Sequence, residues 1–202
     1  MKSFKALLPL LMVAPFVDAQ TVVEDPVPNV QSSRITVWKR EFATIPSSAG
    51  SRPFARINQV EPFSLKNKWL GVNDLRGPFY MVNYQGKVTE YLDVSNFFSD
   101  FVDSPGLGTG FTSFAAHPEF DENGKFYTSH TESGGSGTPT IPLPNNVNEL
   151  LQGVIMEWTA LDPTRPTFLG TRREILRIDL TGTIHGFQEI SFRPGIDESH
   201  PD

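Results

Sequence analysis

The feature that most constrains this chain is its rhythm. Short apolar or β-branched runs recur at Phe54 to Val60, Lys68 to Asn73, Phe79 to Tyr84, Lys87 to Val94, Thr112 to Ala116, Phe126 to Thr131, Val154 to Leu161, Glu174 to Ile178 and Gln188 to Phe192. Turn formers separate many of them: Asn73-Asp74, Arg76-Gly77-Pro78, Gln85-Gly86, Asn123-Gly124 and Thr181-Gly182. Runs of this length, broken by residues that supply a fixed or a positive φ, specify short strands and tight turns. Arg34 to Phe42, RITVWKREF, is an earlier strand candidate, and a Ser, Gly and Pro loop, Ile45 to Pro53, follows it. Helical signals are nearly absent. Asn145 to Leu151 could form a turn or two capped by Asn145 or Asn146, but it follows the proline-rich stretch Gly134 to Pro144, and the favoured reading is a long surface excursion with a helical scrap. The expected class is all-β: a sandwich, barrel or propeller.

The N-terminus sets the compartment. Residues 1–19 join Lys2 and Lys5 to an apolar run from Ala6 to Val17 and a small residue, Ala19, which is the layout of a secretory signal peptide. An uncleaved anchor is the alternative, disfavoured because the run is short and Pro9 and Pro15 interrupt it. Residues 20–33 read as a flexible leader, and 34–202 as the folded part. The expectation is an exported protein, periplasmic or secreted, with no membrane span after cleavage. The chain has no cysteine, so an exported domain of this sequence must rest on its core alone. A formal net charge of −6, with no basic stripe, argues against nucleic acid as a partner.

One stretch carries more than a strand pattern. In GFTSFAAHPEFDENGKFY, Gly110 to Tyr127, an apolar strand is stopped by His117-Pro118, because proline lacks a ladder donor and restrains its predecessor. The chain then turns over Asp121 to Lys125, with Gly124 able to take a positive φ, and Phe126 opens the next strand. With the following TSHTE, this stretch resembles the signature of the soluble PQQ-dependent glucose/sorbosone dehydrogenase family. Trp69 to Leu92 is similar to an early blade of that family, and Arg172 to Phe192 to the segment that leads to its active-site histidine.

The resemblance implies a six-bladed β-propeller of four-stranded antiparallel sheets. At roughly 40 to 50 residues per blade, the residues from Phe54 onward make about three of the six, so the reading is a partial propeller: the N-terminal portion of a longer one, inactive alone. It also implies a small sugar as substrate, PQQ and a calcium ion as cofactors of a complete protein, and His185 as general base in contact with the cofactor. An imidazole titrates near neutrality and can take the proton of a sugar hydroxyl. In this stretch His185, Ile190 and Phe192 fit the family's pattern, whereas Gln188 stands where a glycine is expected. Gly108 stands where the family has a PQQ-contacting glutamine, so that contact is absent.

The other motifs carry little. His117 reads as a corner residue, His130 as a polar group near a strand end and His200 as part of an irregular tail. No histidine pair has zinc spacing, and Asp121 to Lys125 lacks the acids of a calcium loop. Gly106 to Gly110 is glycine-rich without a phosphate-loop lysine, and Glu132 and Glu157 are a carboxylate pair only in the sense that any two acids are. Three functional readings stay open: a PQQ-dependent sugar dehydrogenase, a non-catalytic propeller module that binds carbohydrate or protein, and an inert truncated product.

Overall fold

The computed structural model describes residues 36–145 and 147–193. The signal peptide, the leader, the first two residues of the Arg34 to Phe42 candidate and His200 lie outside the described residues. The chain divides into a unit Met1–Lys39, of which residues 36–39 are described and exposed, and a unit Arg40–Asp202 that holds everything below.

Eight strands form two antiparallel meanders. The first sheet runs β1 (Ile57–Ser64), β2 (Trp69–Asp74), β3 (Pro78–Asn83) and β4 (Val88–Asp93), and the second runs β5 (Phe111–Ala116), β6 (Lys125–Ser133), β7 (Leu151–Ala160) and β8 (Gly170–Leu180). The turns follow local chemistry. Asp74 accepts from the Arg76 N–H at 2.9 Å and Gly77 takes φ +125, which closes β2 onto β3. Asn83 accepts from Gln85 and Lys87 N–H at 3.0 and 2.9 Å, which closes β3 onto β4.

Period-2 alternation decides the packing. Phe63, Phe79, Met81 and Tyr91 on one face of the first sheet join Phe111, Phe114, Phe126, Met156 and Trp158 of the second in one buried cluster. Rings meet edge-on or tilted, as in Phe63 and Phe79 at 5.2 Å, or stacked, as in Phe126 and Trp158 at 5.9 Å. Each buried aromatic contributes about 1.5–3 kcal/mol by area, and each ring pair roughly 0.5–1.5 kcal/mol more. The Trp158 indole N–H donates to Thr128 Oγ1 at 2.8 Å, so the ring is buried without an orphaned donor. The opposite face of the first sheet, with Val72, Tyr80 and Val82, is covered in part by Ala43 and Ile45.

The two sheets are joined where β1 and β2 meet β5, by side-chain amides instead of a ladder. Asn58 Nδ2 donates to Thr112 O at 2.6 Å and Asn73 Nδ2 to Phe111 O at 2.6 Å. Gln59 donates to Phe114 O at 3.1 Å and accepts from Ser113 Oγ at 2.9 Å and Phe114 N–H at 3.1 Å. Two sheets packed face to face with their first strands adjacent are compatible with neighbouring propeller blades, although the sheets do not close on themselves.

Several expectations are corrected. The described residues make two four-stranded sheets where about three blades were expected, because much of the length lies in the 94–110 and 134–150 connections. Residues 36–42 of the first candidate form no strand and pair with none among the described residues. No helix forms in the described part of 145–151. Gln188 to Phe192 is not a strand either, yet Ile190 N–H donates to Ser113 Oγ at 3.0 Å, which lays this segment beside β5. The turn after His117-Pro118 contains one helical turn, α1 (Phe120–Asn123), because burying Phe120 draws the chain inward before Gly124, at φ +69, reverses it.

Candidate functional site at the glycine loop end

The connections 74–77, 106–110, 134–150 and 181–187 lie at one end of the sheets. Phe111 N–H donates to Leu75 O at 2.9 Å, His185 N–H to Leu107 O at 2.8 Å, and Leu150 N–H to Leu180 O at 2.9 Å. Gly106, Gly108 and Gly110 all take positive φ, at +93, +81 and +102. At Gly110 the requirement is double, because a Cβ would also run into the Leu75 carbonyl.

His185 sits in the segment that leaves β8, with φ +59 and its side chain exposed. A left-handed backbone costs a non-glycine residue about 1–2 kcal/mol. Two backbone bonds hold it there: His185 to Leu107 and Gly186 N–H to Gly108 O at 3.2 Å. No strand begins at His185 in the described residues. Gln188 follows, and its Nε2 donates to Gly186 O at 3.0 Å and approaches Gly108 O at 3.5 Å. The space that a side chain at Gly108 would enter is therefore filled by the Gln188 amide.

Below the glycines, Arg56 donates to the Asp103 carboxylate at 2.7 Å and to the Asp103 carbonyl at 2.9 Å. Asp74 accepts from Ser48 Oγ at 2.6 Å and from Arg56 N–H at 3.1 Å, and Arg76 donates to Ser48 Oγ at 2.9 Å. The cations at this end are thus already spent on the protein's own oxygens.

The remaining histidines are elsewhere. His117 Nδ1 accepts from Glu119 N–H at 3.0 Å and lies 2.9 Å from Asn123 Nδ2, a corner contact. His130 is fully buried, with its ring stacked on Phe98 at 4.2 Å and Phe101 at 6.0 Å. Its Nε2 lies 2.9 Å from Glu132 Oε1, and its Nδ1 has no partner. Glu132 Oε2 accepts from Arg177 at 2.8 Å and from Ser136 Oγ at 2.8 Å, which fastens the start of the 134–150 connection to the sheet. Burial lowers the His130 pKa, against the pull of the Glu132 carboxylate. Burial alone would raise Glu132, but the hydrogen bonds from His130, Arg177 and Ser136 outweigh it and hold the group at about 2. The i, i+2 spacing of His130 and Glu132 on β6 was the available signal for this network, since it puts both on one face. Arg177 carried no such signal, because only folding brings β8 to it.

Glu132 and Glu157 do not form a pair. They stand opposite Gln152 and Tyr127 in the β6–β7 register, five positions apart, or roughly 17 Å along a strand. Glu157 instead binds Arg173 at 2.5 Å and Tyr127 Oη at 2.7 Å, and the Arg173 bond depresses its pKa. Asp121, in the rejected calcium-loop motif, accepts from Ser64 Oγ and from Lys66 N–H.

The described residues do not fit a PQQ and calcium site. Among them no group of three His, Asp or Glu side chains could hold a metal ion, Gly108 offers no side chain, and Arg56 is bound to Asp103. Compared with protein-family models and with curated proteins, the chain matches none. No helix among the described residues is long and apolar enough to cross a membrane.

Proposed function

We propose that the protein is an exported sugar dehydrogenase of the PQQ-dependent, propeller type, with His185 as the residue that accepts the proton of a sugar hydroxyl. One observation carries the reading. His185 is held in a left-handed conformation by the glycine loop and leaves its imidazole exposed at the end where four connections converge. Residues held in this region cluster at functional sites. The exposed Lys68 takes the same conformation in the β1–β2 turn, so the support comes from the left-handed backbone together with the convergence of the loops. The Gln188 amide, lying over Gly108, adds a second polar group to the same place. In this reading the sheets are consecutive blades, and further blades supply the cofactor contacts that the described residues lack.

The competing reading is a non-catalytic propeller module that binds carbohydrate or protein, and the absent side chain at Gly108 favours it. The test extends the chain by the reading frame that follows the Asp202 codon, loads it with PQQ and calcium, and follows dye reduction by aldoses. The dehydrogenase reading expects aldose-dependent turnover, and a loss on the order of 10²–10⁴-fold in His185→Ala, the range for a general base. A stop codon at that point, no turnover, or unchanged turnover in His185→Ala overturns it.

A further inference from the structure

A small cleft lies at the end of the first sheet away from the glycine loops, where β2 begins, β3 ends and β4 begins. It is lined by Trp69, Met81, Asn83, Lys87, Thr89 and Pro166 and measures about 110 Å³. Trp69 and Asn83 are register partners, as are Met81 and Thr89, so the four share one sheet face. This is the face that packs on the second sheet. At this corner the second sheet contributes only Pro166, from the connection between β7 and β8, as the facing wall.

The polar groups here are half-buried or exposed and within reach of solvent. Asn83 Oδ1 accepts two backbone N–H groups, which fixes the amide and leaves Nδ2 as its remaining function. Asn83 Nδ2, Lys87 Nζ and Thr89 Oγ1 have no hydrogen-bond or ion-pair partner among the described residues. Lys87 is the one ionisable group in the lining, so the cleft presents a cation and two uncharged hydrogen-bond groups beside an indole and a buried methionine. Three polar and three apolar residues line it, which suits a ligand with one apolar face and one charged end. The cleft is smaller than the enclosed apolar cavity of about 150 Å³ that holds a benzene ring, so a six-membered ring would enter it only in part.

The geometry points to a binding site for a small carboxylate carried on a six-membered ring, with the ring against Trp69 and the carboxylate at Lys87, Asn83 and Thr89. The shared chemistry has two natural sources, an aromatic acid or a sugar acid. The site is independent of the dehydrogenase reading, since it lies at the other end of the sheet and uses none of the same residues.

The test is a ¹H–¹⁵N NMR titration of the full chain with benzoate, glucuronate and the neutral benzyl alcohol. Saturable shifts are expected at the Trp69 indole N–H and at the Lys87 and Thr89 amides, with a Kd of about 1 mM, corresponding to roughly 4 kcal/mol, and with the buried Trp158 indole unmoved. Response to benzoate alone assigns an aromatic acid, and response to glucuronate alone a sugar acid. Response to both assigns the ring carboxylate they share. Lys87→Gln, a surface change that leaves the core intact, is expected to weaken binding about tenfold, the order of one lost charge-assisted hydrogen bond. No saturable shift with either acid, equal binding of benzyl alcohol, or unchanged binding in Lys87→Gln overturns the site.

Discussion

At the scale of single residues, two positions make firm demands. Gly110 combines φ +102 with a carbonyl where a Cβ would sit, so Gly110→Ala is expected to destabilise the fold by about 2 kcal/mol or more, read as a lower urea midpoint. His130 sets a pH dependence. Its folded pKa is depressed below the ordinary 6.5, so the unfolded chain binds the extra proton first. The stability it contributes is intact above pH 6.5 and falls as pH drops below that value, with a slope approaching 1.4 kcal/mol per pH unit. Glu132, held at about 2, adds a second loss only below its ordinary value of 4.5. Urea unfolding at pH 7.5 and pH 5.5 should therefore show the drop, and His130→Gln, which removes the titrating group, should flatten it. An unchanged difference in that variant would refute the assignment to His130. The identity of these residues was readable, but their environment was not. His130 read as a polar group near a strand end, and the rings that bury it, Phe98 and Phe101, come from a connection with no periodicity to announce it.

At the scale of elements, the strands were legible and the joints between them were not. The eight strands fall on eight of the runs read from the sequence, with ends moved by a few residues, because alternation and turn chemistry are local properties. The runs that failed, at 36–42 and 188–192, are as apolar as the others but lack a partner strand in the described residues, and a ladder is a property of two segments. The join between sheets was equally hidden, since nothing in the period of β1 says that Gln59 will bond across to β5. That join is testable. Gln59→Ala removes three bonds and leaves the Phe114 N–H and C=O short of partners, so a loss of about 1–3 kcal/mol is expected, measured by chemical unfolding. A neutral result would mean that the aromatic core alone sets the sheet pairing.

At the scale of the whole molecule, two four-stranded sheets share one aromatic core, and each keeps a further face. The far face of the first sheet leaves an apolar groove of about 240 Å³ between the Glu41–Ile45 segment and Ile57, Val60, Leu70, Val72 and Val82, with Val60 more than half exposed. The far face of the second is crossed by Ile190 and Phe192, and Phe192 meets Tyr127 at 5.4 Å. These apolar grooves support the proposal that the sheets are blades of a larger ring, since contiguous apolar surface marks an interaction face. The most direct test is the fluorescence of 1-anilinonaphthalene-8-sulfonate with the 202-residue chain and with a chain extended past Asp202. The account predicts strong enhancement with the first, because an apolar face is open, and its loss in the second as further sheets cover that face. A 202-residue chain that stays monomeric and leaves the dye dark would contradict it.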